Sequence, residues 1–261
     1  MSALLEARDR RGVATLTLNR PDRHNAFDDA LIADLTAALE RLAGEPEIRA
    51  VVLASTGKSF SAGADIEWMR RMAEYSEGAN LADAALLAAM LHRLDRLPKP
   101  TIALVQGPAY GGGVGLLACC DIAIAAERAT FCLSEVKLGL IPATISPYVI
   151  HAIGPSWARR YFQTAEVISA ARAQAIGLVH EVVPESALEE TKEALIKALL
   201  EGAPGAEAEA KALVFLAEGR PLDLTLSAET GRRIAARRAS PEGREGLAAF
   251  LARRPPAWRR D

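Results

Sequence analysis

Aromatic residues are scarce in this 261-residue chain, only 5% of the total, while alanine is abundant. That balance suits closely packed helices. Cysteine is scarcer still, with Cys119, Cys120 and Cys132 alone. An odd count in a chain of this length excludes a secreted disulfide framework. No C-x-x-C pair or His/Cys cluster points to a metal. The three thiols are expected to be small buried hydrophobes, with the side chains of Cys119 and Cys120 diverging.

An excess of charge is missing too. The formal net charge is −2, so nothing favours nucleic acid or anionic lipid as a partner. Long uninterrupted apolar runs are absent. The most apolar stretch, Leu81 to Leu97, contains Asp83, His92, Arg93 and Asp95, which rules out a membrane span. Residues 1–11 lack an apolar core and do not read as a signal peptide. A reducing cytoplasm is the expected compartment. The basic stretches at Arg232-Arg233 and from Arg253 to Arg260 read as a solvated helix face and a frayed tail.

Half of the residues are apolar and a quarter charged, as in a soluble globular protein. Val13 to Leu18 alternates apolar and small polar residues and reads as a strand. Asn19 to Asp22 is a turn. Asp28 or Asp29 caps a helix marked by Leu31, Leu35, Leu39 and Leu42 and ended by Gly44-Glu45-Pro46. Ala50 to Ala54, Thr101 to Val105 and Asp121 to Ala125 are short apolar strands. Helices are expected from Ile66 to about Met72, over Leu81–Leu97 before Pro98-Lys99-Pro100, and after the glycine triplet to near Cys120. Strand, turn and helix in repetition point to a parallel α/β core. After Pro155 the pattern becomes mostly helical. Ser169 and Ser186 read as N-caps, and helices are expected over Ala206–Gly219, Leu222–Ala239 and Pro241–Leu251.

Two turns carry the chemistry. Ser61-Ala62-Gly63-Ala64-Asp65 and Tyr110-Gly111-Gly112-Gly113-Val114 each follow an apolar strand and precede a helix. Backbone N–H groups at such turns are exposed. Two of them meeting at one point would stabilise an oxyanion.

Four separated motifs carry a resemblance. They are Asn19-Arg20-Pro21 with Asn25-Ala26-Phe27, then Phe60 to Asp65, then Gly111-Gly112-Gly113, then Phe131 to Pro142. In this order they resemble the enoyl-CoA hydratase (crotonase) family, from about residue 5 to 255. The resemblance implies an α/β fold, a crotonase-like spiral of β-β-α turns over residues 1–200. A C-terminal helical oligomerisation region over 201–261 would pack on neighbouring subunits in a homotrimer or homohexamer. It also implies an acyl-CoA thioester as substrate, with coenzyme A as part of that substrate and no metal or redox cofactor.

By the same resemblance the N–H groups of Ala64 and Gly112 would bind a thioester enolate. Ala62, Ala64, Asp65 and Ile66 would line the adenine and pantetheine path. Arg23, His24 and Ala26 would lie near the nucleotide end. A typical hydratase holds one water between two glutamates. The second is matched by Glu135, but the first falls on Gly115. Glu135 is therefore the general acid/base candidate, and a partly desolvated pocket would raise its pKa. Glycine at 115 is expected to free volume for a branched or longer acyl chain. Tyr110, Ser134, Ser146, Tyr148, His151 and His180 are the polar groups that stand in for the missing acid or simply pack.

The wording Gly113-Val114-Gly115-Leu116, Asp65 to Met69 and Phe131 to Ala143, continued by Ile145 to Val149, resembles bacterial methylglutaconyl-CoA hydratases of leucine and isovalerate breakdown. Such a substrate carries a second carboxylate, for which Lys137, Arg70 and Arg71 are the nearest cations in sequence. The leading expectation is reversible hydration of a branched enoyl-CoA such as 3-methylglutaconyl-CoA. The alternatives are an enoyl-CoA isomerase, for which one base suffices, and a non-catalytic CoA-binding scaffold.

Overall fold

The computed structural model describes residues 2–259. Its larger sheet has six strands in the order β1 (Leu4–Arg8), β2 (Val13–Leu18), β3 (Ala50–Ser55), β4 (Thr101–Val105), β6 (Ile122–Ala126) and β9 (Glu181–Val183). β1 runs antiparallel to β2, and the remaining pairs are parallel. The expected parallel core therefore carries one antiparallel edge. Apart from Thr101 and Ser55, β3, β4 and β6 are built from alanine, valine, leucine and isoleucine, and every residue of β4 is buried. This matches a parallel sheet covered on both faces.

A smaller sheet joins β5 (Ala109–Tyr110), β7 (Thr130–Cys132) and β8 (Ile168–Ser169), with β5 parallel and β8 antiparallel to β7. Single bridges extend it, Ser61 to Ala109 and Phe27 to Ala64. Each turn of chain gives a strand to the large sheet, a short strand or bridge to the small one, and then a helix. β3 is followed by Ser61 to Ala64 and α2 (Ile66–Ala73), and β4 by β5 and α4 (Gly112–Ala118). This is the expected spiral of β-β-α turns.

α1 (Asp29–Gly44) begins where Asp28 accepts the Leu31 N–H, at 3.0 Å. Its leucine stripe, Leu31, Leu35, Leu39 and Leu42, is fully buried. α3 (Glu77–Asp95) starts earlier than its apolar run because Ser76 caps it. Only Met90, Leu91 and Leu94 of this helix are buried, while Leu81 and Leu86 are exposed. The amphipathic reading of Leu81–Leu97 thus holds for the last two turns alone.

α5 (Ser146–Thr164) opens ahead of Pro155 and consists of two helical pieces. Gly154 breaks it at φ 73° and ψ 160°, and Pro155 starts the second piece. Ser169 caps α6 (Ala170–Ala175) as expected. Ser186 does not cap α7 (Leu188–Glu201). It lies inside a short 3₁₀ turn, Glu185–Ala187, that makes no side-chain cap. The three cysteines are free and buried.

Internal contacts divide the chain into two compact units. One runs through Leu97 and then from Thr101 to Glu193. The other takes Pro98–Pro100 and the chain from Ala194 onward. In the second, α8 (Pro204–Ala217), α9 (Leu224–Ala239) and α10 (Pro241–Leu251) pack in succession. Arg233 pairs with Glu209 at 3.1 Å, and the Gly205 N–H donates to Glu242 at 3.1 Å. The basic tail is tied down rather than frayed. Arg254 pairs with Glu245 at 2.6 Å, and the Trp258 indole donates to the Glu201 carbonyl at 3.1 Å. Arg260 lies outside the described residues. No helix among the described residues is long and apolar enough to cross a membrane.

One buried amide fixes the entry to the first unit's functional turns. Asn25 has 0% exposure and a left-handed φ of 54°, a conformation asparagine tolerates better than most residues. Its side chain accepts the Arg20 N–H at 2.8 Å and donates to the carbonyls of Thr56 at 2.7 Å and Ser59 at 2.8 Å. Asn25→Ala is expected to lower the unfolding free energy by about 3 kcal/mol, because the half-buried Arg20 N–H and Thr56 carbonyl lose this partner and the buried Ser59 carbonyl loses one of its donors. Urea denaturation checks this; a loss below about 1 kcal/mol would mean that Asn25 is not the clip of this turn.

Candidate active site

The Ser61–Asp65 and Tyr110–Val114 turns are packed against each other in the first unit. The Tyr110 N–H donates to the Ser61 carbonyl at 2.9 Å, and the Gly111 N–H to the Cys132 carbonyl at 2.8 Å. Gly63 lies at φ 83°, in the left-handed region. A Cβ there would stand 2.8 Å from the Tyr110 carbonyl oxygen and 3.3 Å from the Gly112 nitrogen. Only glycine admits both that conformation and that approach. On the other side, a Cβ at Gly112 would fall 2.3 Å from the Phe27 ring. Phe27 in turn is held by its N–H to the Gly63 carbonyl and by its own carbonyl to the Asp65 N–H, at 2.8 and 2.9 Å.

These bonds use the amides around Ala64 and Gly112 but not those two. Their N–H groups have no hydrogen-bond partner among the described residues. Both residues are half-buried. Two unpaired donors on touching turns can receive an anionic oxygen.

Glu135 opens the 3₁₀ turn Glu135–Leu138 that follows β7. Its Oε1 approaches Gly111, where a Cβ would meet it at 3.1 Å. Its Oε2 is buried and without a hydrogen-bond partner. Burial pushes the pKa of this carboxyl up, with only its own backbone N–H pulling the other way. The turns that carry Ala64 and Gly112 thus touch, and Glu135 lies against the second of them.

The remaining expected site residues gather at the first turn, yet several are already engaged. Asp65 is 3% exposed and caps α2 through the Glu67 N–H at 2.9 Å and the Trp68 N–H at 3.4 Å. It also pairs with Arg20 at 2.9 Å and Arg23 at 3.0 Å. Burial pushes its carboxyl up, but Arg23, the two amides and Arg20 outweigh burial and hold it below the ordinary carboxylate range. Its side chain is thus spent on the turn, and its backbone is engaged as well, the N–H with the Phe27 carbonyl at 2.9 Å and the carbonyl with the Met69 N–H at 2.8 Å. Arg23 and His24 are exposed, and His24 Nδ1 lies 3.0 Å from the Ser59 hydroxyl. Ala26 is buried, Ala62 exposed and Ile66 69% exposed.

The expected free volume at Gly115 is not there. A Cβ at this position would stand 2.2 Å from Ile145 Cγ2, so isoleucine fills the space. None of the polar stand-ins takes that place. Ser146 donates to the Ala143 carbonyl at 2.8 Å, and His180 Nδ1 accepts the Ala123 N–H at 3.0 Å. Tyr148 is half-buried, and burial pushes its hydroxyl up to about 12. His151 is exposed on α5, Tyr110 supplies backbone to the second turn, and Ser134 starts the Glu135 turn without a side-chain cap. Among the cations, Arg70 pairs with Glu67 at 2.7 Å and Arg71 with Asp29 at 2.5 Å. Lys137 has no ion pair among the described residues.

A family model described as "Enoyl-CoA hydratase/isomerase" matches residues 8–261. The chain belongs to the enoyl-CoA hydratase/isomerase family. The crystal structure of an enoyl-CoA hydratase from Shewanella pealeana is similar at a TM-score of 0.96 and 46% identity, over 98% of this chain and 96% of that one. The 2,3-dehydroadipyl-CoA hydratase of Escherichia coli is 35% identical, over 99% of both chains. The 1,2-epoxyphenylacetyl-CoA isomerase of the same organism is 34% identical, over 95% of both. Asn25, Phe27 and Ile145 all stand in the quoted motifs, but the motifs give none of them a role of its own. For Ile145 nothing local marks it, because its role is a contact with a residue thirty positions away.

Ionising Glu135 costs the folded chain free energy, since burial raises its folded pKa above the unfolded one. That cost grows as pH rises from the ordinary carboxylate value through the raised one, and it is absent below both. Glu135→Gln is expected to raise the melting temperature above this window and to leave it unchanged well below. Thermal unfolding at acid and neutral pH tests the sign; destabilisation at neutral pH that disappears at acid pH would mean a bonded carboxylate.

Proposed function

We propose that this protein reversibly adds water across the α,β double bond of an enoyl-CoA thioester. The observation that carries the reading is the buried, unpartnered Glu135 carboxylate oxygen beside two unpaired amides on touching turns. In this reading the N–H groups of Ala64 and Gly112 hold the thioester oxygen. Glu135 as carboxylate takes a proton from water while the hydroxyl adds to the β-carbon. The electron pair of the double bond moves to the thioester oxygen, giving an enolate. The protonated Glu135 then returns that proton to the α-carbon. Water is added whole, and the carboxylate is regenerated. Loss of one amide donor typically costs about 3 kcal/mol of transition-state stabilisation.

Arg23, His24, Ala26, Ala62, Asp65 and Ile66 form the coenzyme A path in this reading, with Asp65 acting by holding Arg23 at 3.0 Å. We assign the acyl group to the class with a second carboxylate, of which 3-methylglutaconyl-CoA is an example. Lys137 supports this, as the cation of the three that is not tied in an ion pair. The Escherichia coli relative named for 2,3-dehydroadipyl-CoA also takes its name from the thioester of a dicarboxylic acid.

Isomerisation of a 3-enoyl-CoA is the second reading. It is favoured by the apolar Ile145 where a second water-holding acid would stand. Glu135 would take a proton from the α-carbon and return it at the γ-carbon. Incubation with 2-enoyl and 3-enoyl thioesters separates the two: a mass gain of one water marks hydration, and a moved double bond at constant mass marks isomerisation. An association of copies through the C-terminal helices is supported by exposed Leu222, Leu224, Phe250 and Leu251, and sedimentation of the full chain measures it.

Glu135→Gln is expected to lower kcat by about 10²–10⁴-fold while saturated acyl-CoA binds as before. In the parent protein the acid limb of kcat/KM should lie above the ordinary glutamate value, because burial raises this carboxyl. Unchanged turnover in Glu135→Gln would place the proton chemistry on another group.

A further inference from the structure

Gly111 is the non-helical N-cap of α4, at φ 49° and ψ −121°, and its carbonyl accepts the Gly115 N–H at 3.3 Å across the first turn. One turn is about 5.4 Å along a helix. Glu135 Oε1 lies over Gly111, and Ile145 Cγ2 lies over Gly115. The carboxylate and the isoleucine methyl therefore lie against the two ends of the same first turn of α4. Ile145 is 2% exposed and sits just ahead of α5, where its carbonyl accepts the Val149 N–H at 3.1 Å. Its backbone is fixed by that bond, and its side chain is packed in the core. A Cβ on residue 115 would reach 2.2 Å from Cγ2 and 2.8 Å from Cβ of Ile145, far inside van der Waals contact. The pair is mutually exclusive: a side chain at 115 or an isoleucine at 145, not both.

We propose that Ile145 is a specificity-determining residue of this site, walling off the space beside Glu135 and thereby deciding which acyl shapes enter. The proposal rests on the acyl-CoA reading of the pocket and extends it to the acyl end. The wall is apolar and β-branched, so it discriminates by shape. An isoleucine also offers no polar partner to Glu135, whose Oε2 has none among the described residues.

Calorimetric binding of butyryl-CoA and isovaleryl-CoA, both saturated, tests this without turnover. In Ile145→Ala the ratio of branched to linear affinity should rise by about tenfold, the scale of a methylene-sized change in an apolar pocket. Ile145→Val should fall between. Packing is read separately. Gly115→Ala should lower the melting temperature of the parent protein more than that of Ile145→Ala, as coupled neighbours do. An unchanged affinity ratio in folded Ile145→Ala or Ile145→Val overturns the specificity role. Additive melting shifts overturn the exclusive pairing. Tight acyl-CoA binding without hydration or isomerisation sinks the catalytic reading and leaves the role of Ile145 standing. No acyl-CoA binding by the parent protein removes both.

Discussion

The structure depends on the contact between two backbone turns. Gly63 and Gly112 approach so closely that no side chain fits between them, and Phe27 closes the far side of Gly112. Hydrogen bonds from Phe27, Asp65, Tyr110 and Gly111 hold the turns in place. These bonds use up the surrounding amides and leave those of Ala64 and Gly112 unpaired. Preorganised donors of this kind need no rearrangement when charge develops on a ligand. The spiral of strands behind them serves this end, since parallel neighbours β3 and β4 carry the two turns out at the same edge of the sheet.

Electrostatics around the site follow from what is satisfied and what is not. Asp65 is buried yet ionised, because two arginines and two amides surround it. Glu135 is less buried, but one of its oxygens meets nothing. Burial thus acts on both carboxyls, and neighbours decide the outcome. The first becomes a fixed strut of the turn. The second is poised to exchange a proton, which is the property acid/base chemistry requires. The tertiary contact of Ile145 with Gly115 completes the contrast, since it keeps further polar groups off that wall.

Much of the fold was legible in the chain itself. The leucine stripe of α1 recurs at helical spacing, and Asp28 precedes it at the cap. β2, β4 and α10 fall on their expected residues because local alternation, apolar runs and proline state them directly. α3 was read too narrowly, since a serine cap lies outside the apolar run. Ser186 was read as a cap because serine before a helix is a local signal, yet the chain makes a 3₁₀ turn there first. The tail was read as frayed because charge alone carries no information on partners such as Glu245 and Glu201.

The amino-acid sequence by itself determined the family, the two glycine turns and the lone acid at 135, because each is written in contiguous residues of restricted chemistry. Tertiary structure alone decided that Asp65 is spent on its arginines, that Glu135 Oε2 has no partner, and that Gly115 opens no space. Those are statements about what lies against a group from a distant part of the chain. Burial and contact arise only when the chain packs, and Ile145 carries no mark in its own neighbourhood that it would seat on Gly115.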